Sequence, residues 1–217
     1  MTASALSVAE VRVHDTDATR DNILEVATRE FADKGLAGAR IDEIAEKTNS
    51  SKRMIYYYFG GKEQLYRAVL EQAYAGIRER EAAANFEALP ADAALAAHVA
   101  QTFDYHGQHP EFVRLVMNEN IHRGEHVKHL ESLKDRNRKV IAFLQAIIDK
   151  GVAAGQFRSD IDPIDLHMSI SALCFYNVSN RYTLSAIFGV DIAAPAAIAA
   201  RRARVVEMIL GYVRKSV

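Results

Sequence analysis

Residues 41–66 read IDEIAEKTNSSKRMIYYYFGGKEQLY, and the rest of the chain is best understood outward from them. Ile41, Ile44 and Ala45 recur at helical spacing and mark a short helix ending near Asn49, a residue that tolerates the left-handed backbone of a tight turn. A second short helix begins near Ser51, carries Ile55 and Phe59 inward and stops at Gly60-Gly61. Two short helices joined by a three- to four-residue turn match the helix-turn-helix arrangement, whose second helix enters the major groove of DNA. The charges agree. Lys47, Lys52, Arg53 and Lys62 lie between Glu46 and Glu63 with no acidic residue among them, interleaved with Tyr56, Tyr57 and Tyr58. Phosphate binding requires such a window, although four basic residues over this length describe a solvated face equally well.

Upstream, Ile23, Leu24, Ala27 and Phe31 set a helical period from Thr19, and Gly35 follows Lys34 as a stop. Residues 1–16 show no helical period and read as a flexible arm. Downstream, a longer helix runs from Lys62 through Leu65, Tyr66, Val69, Leu70, Ala73 and Ile77 to about residue 83. The remainder reads as a larger bundle with helices over 91–106, 110–122, 125–154, 162–188 and 195–215. Pro90, Pro110, Pro163 and Pro195 precede or open apolar-periodic segments, where a missing N–H costs nothing. With 35 alanines among 217 residues and few alternating β-branched runs, the predicted fold class is all-α.

Composition bounds the function. Apolar residues make up 49% and charged residues 25%, with a formal net charge of -1: ordinary globular composition, with no whole-chain hint of nucleic acid. Cys174 is the single cysteine, so neither a disulfide framework nor a cysteine metal pair is possible, and a reducing cytoplasm is the expected setting. No basic segment followed by an apolar stretch opens the chain, and no apolar run approaches the ~20 residues that span a bilayer, so secretion and a membrane partner are not expected.

The stretch resembles the TetR-type bacterial transcriptional regulators, whose N-terminal pattern runs approximately I-A-x-x-A-G-V-S-x-x-x-L-Y-x-x-F and then K-E-x-L. Ile44-Ala45, Asn49-Ser50-Ser51, Ile55-Tyr56, Phe59 and Lys62-Glu63-Gln64-Leu65 stand at those places, and Phe31-Ala32-Asp33-Lys34-Gly35 matches the family's first-helix ending. The resemblance covers residues 20–70. Asn49 replaces the usual turn glycine, Ser50 a buried valine, Arg40 the usual Ser or Thr helix cap, and Arg53-Met54 a common small pair at base-reading positions. Arg40 therefore either contacts DNA or leaves the cap to another group, and the operator sequence does not carry over from relatives.

The resemblance implies an N-terminal three-helix DNA-binding domain over 17–66, joined by a linking helix to a ligand-binding and dimerisation domain over 67–217. It implies a homodimer formed through the last two helices, a palindromic double-stranded DNA operator and release by a small-molecule effector. Together with side-chain chemistry it assigns phosphates to Ser51, Tyr56, Tyr58 and Lys62, and base edges to Lys52, Arg53, Met54 and Tyr57. For the effector, the polar and aromatic residues interrupting the apolar helices are the candidates: Phe103, His106, Met117, Asn120, His167, Ser171, Cys174, Asn177 and Arg181. His167, Ser171, Cys174, Val178 and Arg181 share one helical face, which describes a pocket and a dimer interface equally. Arg181 within an apolar helix needs an acid across the dimer or an anionic ligand. The alternative is a metal-responsive regulator, since Glu119, His122, His126 and His129 fall at ligand-like helical spacing, interrupted by Gly124. Cys174 and His167 lie seven residues apart on one helix, too far for a nucleophile and its base. No reaction, catalytic residue or cofactor is implied.

Overall fold

The structure, a computed structural model, describes residues 8–83 and 86–215. Among the described residues it has ten helices and no strand, with one isolated bridge between Phe157 and Arg214. Four helices build the N-terminal part: α1 (Val8–Gly38), α2 (Ile41–Lys47), α3 (Lys52–Phe59) and α4 (Lys62–Ala83). Six follow: α5 (Ala91–Gln108), α6 (Pro110–Ile121), α7 (Glu131–Ala153), α8 (Pro163–Ser179), α9 (Arg181–Phe188) and α10 (Pro195–Val213).

Three boundaries differ from the expected ones. The first helix extends back to Val8, so residues 8–16 are helical rather than a flexible arm, and residues 1–7 of that arm lie outside the described residues. Once the apolar face from Ile23 has fixed a helix, each added residue gains a hydrogen bond without a new nucleus, and an aperiodic extension follows at little cost. The expected helix over 125–154 starts only at Glu131, because α6 closes in a left-handed turn at Arg123 and Gly124 (φ 59° and 68°) and a short 3₁₀ turn, Val127–His129, intervenes. The expected helix over 162–188 breaks at Asn180, whose carbonyl accepts from the Thr183 hydroxyl (3.0 Å) and whose amide donates to Ser179 Oγ (2.7 Å). Short polar side chains that bond the nearby backbone compete with helix continuation in this way.

Local chemistry accounts for the helix-turn-helix. Asn49 is left-handed (φ 50°), and the bonds Ser50 N to Ala45 O (3.0 Å) and Asn49 N to Glu46 O (3.3 Å) close α2 in a Schellman motif. Ser51 then caps α3, its hydroxyl accepting from Met54 N at 3.2 Å. Gly60 (φ 80°) ends α3.

Two main cores result. Ile23, Phe31, Ile44, Ile55 and Phe59 pack with Leu65, Tyr66, Val69 and Leu70 of α4, and Leu115 of α6 joins them. A second core draws on α5, α7, α8 and α10, including Leu95, Leu144, Leu166, Ile170, Cys174 and Ile209. A smaller cluster of Ile77, Tyr105, Phe112, Val113 and Val178 lies where α4, α5, α6 and α8 meet. Helix α4 thus runs unbroken past residue 66, where the functional division was expected, and its Val69 and Leu70 still belong to the first core. A bidentate pair between Arg202 of α10 and Asp104 of α5 (2.8–3.0 Å) fastens the last helix to the bundle.

Candidate functional site

Burial of Ile55 and Phe59 turns the other side of α3 outward. Lys52, Arg53, Met54, Tyr56 and Tyr57 are all exposed, Tyr57 at 77%, while Tyr58 is half-buried against the first core. Ser51 is exposed and engaged as the helix cap. Lys62 opens α4 and donates from Nζ to the Ala37 carbonyl at 3.3 Å, tying it to the end of α1. Arg40 does not cap α2; its guanidinium lies 3.8 Å from Asp42. Asp42 also accepts from Lys52 Nζ at 2.7 Å, and that bond holds its carboxyl below the usual range. A window free of acids in sequence is therefore not free of them in space, because Asp42 lies upstream of the window and folds against its first lysine.

A cavity of about 560 Å³ lies between α4, α5, α6, α7 and α8. This size falls within the ~300–1,000 Å³ of small-molecule sites. Of the nine expected ligand residues, the fold brings His106, Asn120, His167 and Ser171 to its wall. Phe103 and Cys174 instead lie in the second core, where Cys174 Sγ is 3.8 Å from the Val99 carbonyl and burial pushes its thiol up to about 12. A buried thiol of that kind is no nucleophile. Met117 and Arg181 line a separate, smaller cleft of about 160 Å³, since the break at Asn180 takes Arg181 off the face it was expected to share with His167. Asn177 is half-buried and lines neither. Arg78, Asn137, Thr102 and Tyr74 also line the cavity.

Residues 23–69 match the family model described as "Bacterial regulatory proteins, tetR family", and residues 92–209, more than half of the chain, match "Tetracyclin repressor-like, C-terminal domain". The chain belongs to the TetR family of bacterial regulators. Among its TetR-family relatives is the HTH-type transcriptional repressor NicS of Pseudomonas putida, 40% identical over 183 residues, 84% of this chain and 86% of the relative. The repressor SCO4008 of Streptomyces coelicolor is 37% identical over 110 residues, 51% of this chain and 54% of that protein. A solved tetR-family regulator from Rhodococcus RHA1 shares the fold with a TM-score of 0.71 at 22% identity, covering 92% of this chain and 98% of its own. The first match spans α1 to the start of α4, the second α5 to α10.

In this TetR-family chain α6 lies between the two sites. Phe112, Val116 and Asn120 face the cavity, whereas Leu115 enters the first core, Asn118 Nδ2 donates to the Phe31 carbonyl (3.4 Å) and Arg114 pairs with Asp33 of α1. Glu119, 3% exposed, accepts from the backbone N–H groups of His126 and Val127 (both 3.1 Å) and lies 3.0 Å from His126 Nδ1. The Tyr66 ring stands edge-on to His126 at 5.0 Å, and burial together with Glu119 pushes its phenol well up.

That geometry also disposes of the expected helical metal face. The helix ends at Ile121; His122 Nδ1 turns back to the Asn118 carbonyl (2.8 Å), and His126 alone reaches Glu119. Among the described residues no three His, Cys, Asp or Glu side chains converge as a metal site would need.

Proposed function

We propose that the chain is a repressor that binds a palindromic operator as a homodimer, in the cytoplasm, and leaves it when a small molecule fills the cavity beside α6. The observation that carries the reading is the outward face of α3. Its Lys52, Arg53, Tyr56 and Tyr57 stand free of the packing that consumes Ile55 and Phe59, as a recognition helix requires. In this reading Arg53 reads a guanine edge, and Met54 offers apolar contact to a thymine methyl. Ser51, Tyr56, Tyr58, Lys62 and Arg40 hold the phosphate backbone, while Lys52 exchanges Asp42 for DNA.

The homodimer is supported by apolar residues left in water on the last helices: Met168, Tyr176, Ile187, Phe188, Met208 and Tyr212 are each at least 41% exposed. Large apolar side chains left exposed on these helices favour an interface, and two-fold symmetry matches two half-sites ~34 Å or a multiple apart. The switch follows from α4 and α6, each of which both lines the cavity and enters the first core, α4 with successive stretches and α6 with different faces. A ligand with higher affinity for the DNA-free arrangement of these helices shifts the population away from the operator. Nothing in the reading calls for a chemical reaction or a cofactor.

The test is fluorescence anisotropy of the full chain with DNA from its own upstream region. Binding of two protomers to one discrete palindrome, at least about a thousandfold more tightly than to shuffled DNA, supports the reading. Equal affinity for both DNAs refutes it.

A further inference from the structure

The cavity beside α6 combines flat aromatic surface with imidazole nitrogens that the protein itself does not use. The His106 ring stacks on Phe112 (5.7 Å, 9° between planes), while Phe175 stands edge-on to His106 at 5.9 Å and Tyr74 edge-on to Phe112 at 5.4 Å. All four side chains line the cavity. Faces and edges set in this way suit a planar ring. An apolar cavity of ~150 Å³ accommodates one benzene, so a space of about 560 Å³ has room for two or three fused rings.

His106 and His167 also line the cavity, and neither ring hydrogen-bonds to a described residue. The His167 ring lies close enough to act on the charge of His106. Burial first, and neighbouring positive charge second, lower the proton affinity of both rings to about 4, so each is neutral near pH 7 and carries a single N–H. Nδ1 of each ring is covered by protein and unpaired, which leaves Nε2 as the open nitrogen. A covered N–H without an acceptor is a costlier orphan than a covered lone pair, which assigns the proton to Nε2. Both rings therefore present a donor to the cavity. Ser171, one turn along α8 from His167, adds a hydroxyl. No described lining residue is a carboxylate, so a cation finds no counter-charge there. Arg78 is already engaged, its Nε donating to Asn137 Oδ1 at 3.2 Å, and takes no part in the selection.

We propose that the cavity binds a planar aromatic carbonyl compound of two or three rings, the ring system lying among Tyr74, His106, Phe112 and Phe175 and the carbonyl oxygen accepting from the imidazoles of His106 and His167. A carbonyl oxygen has two lone pairs and no proton to place, and so answers two donors at once. Recognition here comes from shape and hydrogen bonds rather than from charge. The inference rests on reading this cavity as the effector site and goes beyond that reading in naming the chemical class that enters it.

The experiment uses the full-length chain and probes built on one frame: 9-fluorenone, fluorene without the oxygen, 9-aminofluorene and fluorene-9-carboxylate. Binding is read by thermal shift and by calorimetry with protein titrated into dilute probe, and operator release by anisotropy. Fluorenone is expected to bind at least about tenfold more tightly than fluorene, as two neutral hydrogen bonds would give, with the amine silent. Its carbonyl stretch should move to lower frequency on binding, as in a hydrogen-bonding solvent. His106→Phe, which keeps the stack on Phe112, and His167→Leu should each cut the preference for the ketone to about threefold, and together to about one, with fluorene affinity and helix content unchanged. Either single variant suffices for the test if the other does not fold. Equal binding of ketone and hydrocarbon, an undiminished preference in the variants, tighter binding of the carboxylate than of the ketone, or no binding of fluorenone up to its solubility overturns the proposal. Ketone binding without DNA release upholds the ligand class and refutes the effector reading. DNA release by the amine or the hydrocarbon alone does the reverse.

Discussion

Glu119 is the most consequential buried carboxylate between the cavity and the DNA-binding face, and its removal has a calculable cost. Its two oxygens serve His126 N, Val127 N, His126 Nδ1 and the Tyr66 hydroxyl, at 3.0–3.1 Å where the first three are concerned. Glu119→Ala leaves these donors without an acceptor in a site where Glu119 is 3% and Tyr66 1% exposed. An orphaned buried donor costs about 1–3 kcal/mol. The 12% exposure of the His126 side chain allows water to reach part of the loop, so the sum falls toward the lower end, about 3–5 kcal/mol. Glu119→Gln keeps one oxygen for the two backbone N–H groups, and its amide can donate to His126 Nδ1 in the other tautomer. Its cost should therefore be only about 1–2 kcal/mol. Urea unfolding followed by far-ultraviolet circular dichroism, at one fixed protomer concentration because dimerisation contributes to stability, measures both. A Glu119→Ala loss below about 1 kcal/mol, or equal losses in the two variants, would refute the assigned hydrogen-bond role.

Three further outcomes follow from the same packing. Burial lowers the proton affinity of His98 to about 3 and of His106 and His167 to about 4. The unfolded chain therefore takes up protons below about pH 6.5 while the folded rings stay neutral, and each ring withdraws ~1.4 kcal/mol per pH unit as pH falls toward 4. Glu30, which burial raises but hydrogen bonds from Lys34 and Lys47 bring down to about 2, loses its contribution only below about pH 4.5. Urea midpoints that stay flat from pH 7 to pH 5 would contradict the histidine assignment. A Cβ on Gly151 would run into the ring of Phe157, so Gly151→Ala should cost about 1–3 kcal/mol by overpacking, and an unchanged melting temperature would count against it. Met168→Glu with Ile187→Glu, both exposed within one chain, should leave the helix content intact while sedimentation shows a monomer that has lost tight operator binding; a persistent dimer would relocate the interface.

What the sequence makes legible depends on the range of each interaction. The helix-turn-helix could be read because its determinants are local: Asn49, the Ser51 cap and Gly60 act within a few residues of where they stand. The pairing of Asp42 with Lys52 crosses the turn and leaves no mark in the local pattern, nor does the break at Asn180, where a polar residue interrupts an otherwise apolar helix. The cavity was half legible. His106, Asn120, His167 and Ser171 stand out as polar interruptions of apolar helices, but Arg78 sits in the run Arg78-Glu79-Arg80-Glu81, which reads as a solvated face. Only the approach of α7 and α8 to α4 makes it part of a wall. Phe103 and Cys174 have the right chemistry for a pocket and point elsewhere, since spacing fixes a helical face without saying which neighbour covers it.

Regulation by this chain requires that α3 read DNA and that the groups around it hold the backbone. Anisotropy titrations of the wild type, Lys62→Ala and Arg53→Ala against the operator and its single-base variants, at several salt concentrations, test this most directly. Loss of Lys62 should weaken all sequences alike and reduce the salt slope by about one per protomer, and loss of Arg53 should cost about 1–3 kcal/mol at one base position of each half-site and leave the others unchanged. Variants that bind every sequence as the wild type does, with an unchanged slope, would contradict it.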